Sequence, residues 1–133
     1  MTNEERNKET VRAYARAFSE GDWEAIQKLF TPDAAIQGVL GKGGLDVALP
    51  VWRDLHDSLA VRLTVDAIAT EGDQVAVRLT ESGEFRKDFR GKVATGKTYA
   101  IVAMEWFRMR DGLIAERWGA RDSATLWRLL GAE

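Results

Sequence analysis

Apolar residues recur at helical intervals in the first part of the chain and at every second residue from Ala60 onward. Val11, Tyr14, Ala15 and Phe18 share one helical face, behind a Thr2/Glu5 pair with capping-box spacing and ahead of Gly21, which ends the element. Asp22 is placed to cap a short second helix whose Trp23, Ile26, Leu29 and Phe30 face inward, and Thr31-Pro32 stops it. Ala34 to Gln37 reads as a short strand, and GVLGKGG, residues 38–44, as a loop. Leu45, Leu49, Trp52, Leu55 and Leu59 predict a third helix, which Pro50 must either start or kink.

Val61, Leu63 and Val65, a turn at Glu71-Gly72-Asp73, then Val75, Val77 and Leu79 predict a hairpin. Residues 97–122 predict a second one, turning at Asp111-Gly112 because glycine accepts the positive φ of the favoured two-residue turns. Its first strand is apolar on both faces, with Thr98, Ala100, Val102, Met104 and Trp106 on one and Tyr99, Ile101, Ala103, Phe107 and Met109 on the other. Such a strand has to be covered on both sides, by helices on one and by a second copy of the chain on the other. On the return strand, alternation groups Ile114, Glu116, Trp118, Ala120 and Asp122. Asp122 is then either a carboxylate in an apolar pocket or the cap of the helix begun by SATLWRLL.

The 133 residues suit one domain, 1–133, with a single core. A hydrophobic content of 45% with 30% charged residues is a globular balance, and a net charge of -2 gives no field to recruit nucleic acid or an anionic membrane. No cysteine and one histidine, His56, remove disulfides, thiolate chemistry and Cys/His zinc sites, and no clustered metal signature is present. The charged start TNEERNKET is unlike a signal peptide and no apolar run reaches membrane-span length, so the expected compartment is the cytoplasm.

Residues 91–98, GKVATGKT, match the phosphate-loop pattern, but that chemistry needs a buried strand before the loop and a helix after it. Polar FRKDFR precedes and a strand-like run follows, so nucleotide binding is not expected. The cations of Phe85 to Gly96 read as a solvated basic loop or strand extension.

YARAFSEGDWEAIQKLFTPDA, EGDQVAVRLTESGEF, the Phe89 to Lys97 stretch and above all FRMRDGLIAERWGARDSATLWRLLG give the chain a likeness to a known family. It resembles the SnoaL-like polyketide cyclases of the nuclear-transport-factor-2-like superfamily. The resemblance implies an α+β fold, a conical, barrel-like, strongly curved antiparallel sheet wrapped around N-terminal helices. It also implies a deep pocket between them and a homodimer through the outer sheet face. An aspartate at the position of Asp122 would be the general acid/base of a cofactor-free aldol closure on a hydrophobic, carbonyl-containing ligand. Ketosteroid isomerases of the superfamily keep a tyrosine at the place of Tyr14 but a base where this chain has Gln37 and Gly38. Limonene-type epoxide hydrolases use an Asp-Arg-Asp set, of which Arg78 and Asp122 resemble two members while Thr80 replaces the third.

If the face carrying Ala76, Arg78 and Thr80 and the face carrying Met104, Trp106 and Arg108 look inward with Trp118 and Asp122, the pocket has aromatic walls, one acid and guanidiniums. Arg78 or Arg108 would then stabilise an enolate oxygen formed when Asp122 takes a proton. The alternative is an Arg78–Asp122 ion pair that only fixes strand order. Tyr14 is a hydrogen-bond donor to the pocket or a core residue, His56 a second acid/base or a solvent-facing neighbour of Asp57, and Trp52 a large apolar wall. A non-catalytic pocket or dimerising module is the competing reading, separated from the enzyme by whether Asp122 is free.

Overall fold

The computed structural model describes every residue except Val39, whose part in the expected loop 38–44 lies outside the described residues. Of the rest of that stretch, Gly41–Gly43 instead pair as a short strand, and Phe30, expected in the second helix, begins the strand before it. The elements run α1 (Asn3–Glu20), α2 (Trp23–Gln27), β1 (Phe30–Gly38), β2 (Gly41–Gly43), α3 (Leu45–Leu59), β3 (Arg62–Glu71), β4 (Gln74–Glu84), β5 (Thr98–Arg110), β6 (Leu113–Arg121) and α4 (Ser123–Leu130).

The sequence signals for α1 hold in detail. Thr2 Oγ1 accepts the Glu5 backbone N–H at 3.1 Å, and Gly21 closes the helix in the left-handed region at φ 68°. Pro50 does not start α3; it stands on an exposed position within it, where the carbonyl that loses its N–H partner is that of exposed Asp46. Proline at 32 likewise falls inside an element expected to begin after it. It occupies an irregular part of β1, between the register positions of Phe30 and Ala35, where no ladder N–H is required. Residues 91–98 lead into β5 and not into a helix, so the phosphate-loop geometry is not formed.

The six strands lie in the order β2-β1-β6-β5-β4-β3. The expectation of an antiparallel sheet needs one correction: β1 runs parallel to β6, because α3 and both hairpins intervene before the chain returns beside it. The α1 helix packs against β3 near one edge and also against β4 and β6, which requires the sheet to curl around it. A core of Val11, Tyr14, Phe18, Trp52, Leu79 and Phe107 fills the concave side, with Tyr14 edge-on to Phe18, Phe30, Trp52 and Phe107 at ring separations of 5.4 to 6.2 Å. No described helix is long and apolar enough to cross a membrane.

Candidate functional site

The inward row of β4 is Val75, Val77, Leu79 and then Glu81; that of β5 is Tyr99, Ile101, Ala103, Glu105, Phe107 and Met109. Two carboxylates therefore interrupt apolar rows, and both are buried, Glu81 at 4% and Glu105 at 6% exposure. Buried carboxylates need partners, and β6 supplies one cation to each.

Arg117 Nε donates to Glu105 Oε1 at 2.6 Å, and Tyr14 Oη donates to the same oxygen at 2.8 Å. Arg121 Nη2 donates to Glu81 Oε2 at 2.8 Å, joined there by Tyr99 Oη at 2.6 Å. The inner face thus carries two Tyr–Glu–Arg clusters. Glu105 Oε2 and Glu81 Oε1 have no hydrogen-bond partner among the described residues.

Between the clusters the floor is low. Gly119 stands between Arg117 and Arg121 on β6 and pairs with Glu105, while Ala103 on β5 pairs with Arg121. A Cβ at Gly119 would meet Arg117 Nη2 at 2.4 Å, so the missing side chain is what lets the guanidinium lie across the strand. A cavity of about 90 Å³ results, floored by Ala103 and Gly119 and ended by the two clusters. Its wall is Trp52, Ala48, Val51 and Leu55 of α3, and exposed Leu40, Lys42 and Val47 stand at its rim. The Arg117 guanidinium also lies 5.5 Å from the Trp52 ring centroid, a cation–π contact that fixes its plane.

Charge states follow from this packing. Burial pushes the phenols of Tyr14 and Tyr99 well above their ordinary value, with Glu105 and Glu81 adding to it against the opposing pull of Arg117 and Arg121. Burial opposes the charge of Arg117, but the Glu105 carboxylate and Tyr14 outweigh it and hold the guanidinium above its usual range. At neutral pH the Tyr14 phenol is a neutral donor beside a cation.

The expected inward face is corrected. Arg78, Thr80, Met104, Trp106, Arg108 and Trp118 all lie on the outer side of the sheet, because the opposite rows of β4 and β5 are the ones the helices cover, and there Arg78, Met104, Trp106 and Trp118 line a second, open hollow. There Thr80 Oγ1 donates to Asp66 at 2.6 Å, Arg108 pairs with Glu116, and Trp106 stands opposite Trp118 with its Nε1 donating to Gln74 at 2.6 Å. Arg78 is exposed and forms no ion pair with Asp122 among the described residues. A bulge breaks the alternation expected for β6: Met109 pairs with Ile114 but Arg108 with Glu116, so Ile114 points inward while Glu116 and Trp118 point outward.

Asp122 is exposed and caps α4, accepting the Thr125 N–H at 3.1 Å and the Thr125 hydroxyl at 2.6 Å. Those two hydrogen bonds, side chain first, hold its carboxyl below the ordinary aspartate value. It does not line the cavity. His56 is half-buried outside the lining, its Nε2 3.3 Å from the Ser19 carbonyl oxygen and its ring edge-on to Trp23. Tyr14 and Trp52 do line the cavity.

Sequence reasoning missed Glu81, Glu105, Arg117 and Arg121. The signal was a lone acid within an apolar alternating row, since a charge there is either an error of register or a paired group. No cluster of His, Asp or Glu able to hold a metal ion occurs among the described residues.

The chain matches the SnoaL-like domain family over residues 11–117. No curated protein matches it. Solved structures do. IdmH of Streptomyces antibioticus, provisionally named a polyketide cyclase, is 28% identical with a TM-score of 0.85, covering 95% of this chain and 99% of its own. A Xanthomonas campestris protein with the same provisional name is 23% identical with a TM-score of 0.90, covering 97% and 99%. AclR of Streptomyces galilaeus, provisionally named a hydroxylase, is 22% identical with a TM-score of 0.87, covering 96% and 82%. The last two likenesses speak for the fold alone.

Proposed function

Since the chain belongs to the SnoaL-like domain family, we propose that it binds a flat, largely apolar, carbonyl-bearing small molecule between α3 and the concave sheet face and moves a proton there, in an aldol-type cyclisation or a related rearrangement. The observation that carries this reading is the Glu105 cluster. One carboxylate oxygen is pinned by Arg117 and Tyr14, while the other is unpartnered among the described residues on a side chain that lines the cavity.

In this reading Glu105 takes the proton from a carbon beside the ligand carbonyl. Arg117, which spends Nε on Glu105 and Nη1 on the Gln37 carbonyl at 3.3 Å, keeps N–H groups for the enolate oxygen that develops. Tyr14 orients the carboxylate. The enolate carbon then attacks a second carbonyl of the same molecule, and Glu105 returns the proton to the new alkoxide, so the cycle closes with side-chain groups alone. Leu55, Val51 and Trp52 supply apolar walls. The provisional name of IdmH favours a polyketide-like substrate.

A binding module without turnover is the second reading, favoured by one observation: Asp122, the acid that the family resemblance puts forward, is committed to a helix cap. The two separate on Glu105→Gln assayed against short poly-β-carbonyl substrates. A loss of turnover of about 10²- to 10⁴-fold with ligand affinity retained supports the enzyme. Binding by the wild type with no turnover of any such substrate supports the binder.

The same proposal includes a homodimer through the outer sheet face. Val102, Met104, Trp106 and Trp118 expose 54%, 57%, 49% and 39% of their surface there, an apolar patch of the kind that marks an interface.

A further inference from the structure

The Glu105 cluster accounts for one end of the cavity, and nothing in the proposed proton transfer uses the other. At that end Arg121 and Glu81 also line the cavity. Arg121 spends a single N–H on protein, Nη2 to Glu81 Oε2, and its Nε is buried with no acceptor among the described residues. A guanidinium carries five N–H donors, and leaving Nε buried without an acceptor is unfavourable, so a side chain held at 12% exposure with one bond made is poised for an acceptor from outside the chain.

Tyr99 explains why the cluster does not simply satisfy itself. Its hydroxyl occupies the same Glu81 oxygen that Arg121 uses, so the carboxylate and guanidinium meet through one oxygen and not as a two-point fork. Nη1 makes no hydrogen bond to the described residues and is left for a second oxygen pair. Charge also favours an anion: Arg117, Arg121 and Lys42 stand against Glu81 and Glu105 among the cavity residues, leaving one positive charge over.

We infer that the Arg121 end of the cavity is a subsite for a carboxylate of the ligand, so that the molecule bound is an elongated, flat aromatic or polyketide-like acid with its reacting carbonyl at the Glu105 end. The spacing agrees. The Arg117 guanidinium lies over Gly119, two residues from Arg121 on β6, about 7 Å between Cα atoms at the rise of an extended strand, which one or two rings with substituents span. The Arg117 guanidinium covers Gly119, and the small side chain of Ala103, opposite Arg121, keeps the rest of the floor low beneath such rings.

This inference rests on the cavity being the ligand site, and the test separates the two. The probes are 2-naphthoate and its methyl ester, titrated calorimetrically into the full-length wild type, into Arg121→Gln, and into Arg121→Met/Glu81→Gln, which removes both charges so that neither is left buried alone. Circular dichroism identifies which variants fold, and Arg121→Gln, which still donates to Glu81, carries the test if the double variant does not. The wild type is expected to prefer the carboxylate by about tenfold or more, and the variants to lose that preference while keeping ester affinity within about threefold. Equal binding of the two probes by the wild type, or a preference that survives in the variants, overturns the carboxylate subsite and leaves the cavity reading standing. Binding of neither probe by the wild type overturns the cavity reading and the subsite with it.

Discussion

Arg117 and Glu105 meet diagonally across β6 and β5 on the concave face, Nε to Oε1 at 2.6 Å, with side chains only 12% and 5% exposed. The pair is diagonal because Gly119, directly opposite Glu105, has no side chain to intervene.

Removing one partner leaves a buried charge without compensation. Arg117→Leu is expected to lower the free energy of unfolding by about 3 to 5 kcal/mol, and Arg117→Leu/Glu105→Leu by distinctly less, since an apolar pair of similar volume leaves no unpaired charge. Urea titrations of both variants measure it. A double variant no better than the single one would show that the cost lies in lost packing.

Both tyrosines of the chain are buried against a glutamate, and both phenols are held above their ordinary value by that burial. A group whose folded pKa is raised contributes stability fully present below its unfolded pKa and lost as pH rises past it, here above about pH 10. Absorbance at 295 nm is therefore expected to show no phenolate in the native protein near pH 10. It should appear in one cooperative step with loss of circular dichroism. A gradual titration centred near pH 10 in folded protein would contradict the packing of Tyr14 and Tyr99.

Asp122 and Glu105 divide between stability and activity. Asp122→Ala is expected to lower Tm by removing the cap, whereas Asp122→Asn keeps the cap and the Tm. Its depressed carboxyl adds stability above the unfolded aspartate pKa that is lost as pH falls through the folded value, so the Asp122→Ala difference should shrink in acid. Ligand affinity should not change in Asp122→Asn. Turnover that falls with Asp122→Asn and not with Glu105→Gln would move the acid/base role to Asp122.

The outer face gives a prediction about assembly. Met104→Glu/Trp106→Glu introduces charge on an exposed patch without touching the inner row, so the fold should persist while sedimentation shifts from dimer to monomer. A wild type that sediments as a monomer at high micromolar concentration would refute the proposed interface.

Much of the architecture was readable from local pattern. The Thr2 cap and Gly21 stop bound α1, period-two runs and glycine turns place both hairpins, and SATLWRLL forms α4 behind Asp122. These features follow from contacts within a few residues, so the order of residues suffices to specify them. The site was not readable in the same way. Alternation sorted the residues of β5 into two rows, but both rows are largely apolar, and a strand's own sequence contains no reference to which side the helices occupy.

Sequence by itself determined the two long helices, the two hairpins, their caps and turns, the absence of cysteine chemistry, and the family, because each is written in residue type and spacing; the early start of β1 at Phe30 and the strand Gly41–Gly43 were not. Only the tertiary structure decided which face of β4 and β5 is inside. The curl of the sheet around α1 buries Glu81 and Glu105, the bulge between Arg108 and Met109 turns Arg117 inward and Trp118 outward, and Gly119 leaves room for the Arg117 guanidinium. The physical reason is that an ion pair formed between strands gains its strength from burial, and burial belongs to the assembled layers and not to any one segment.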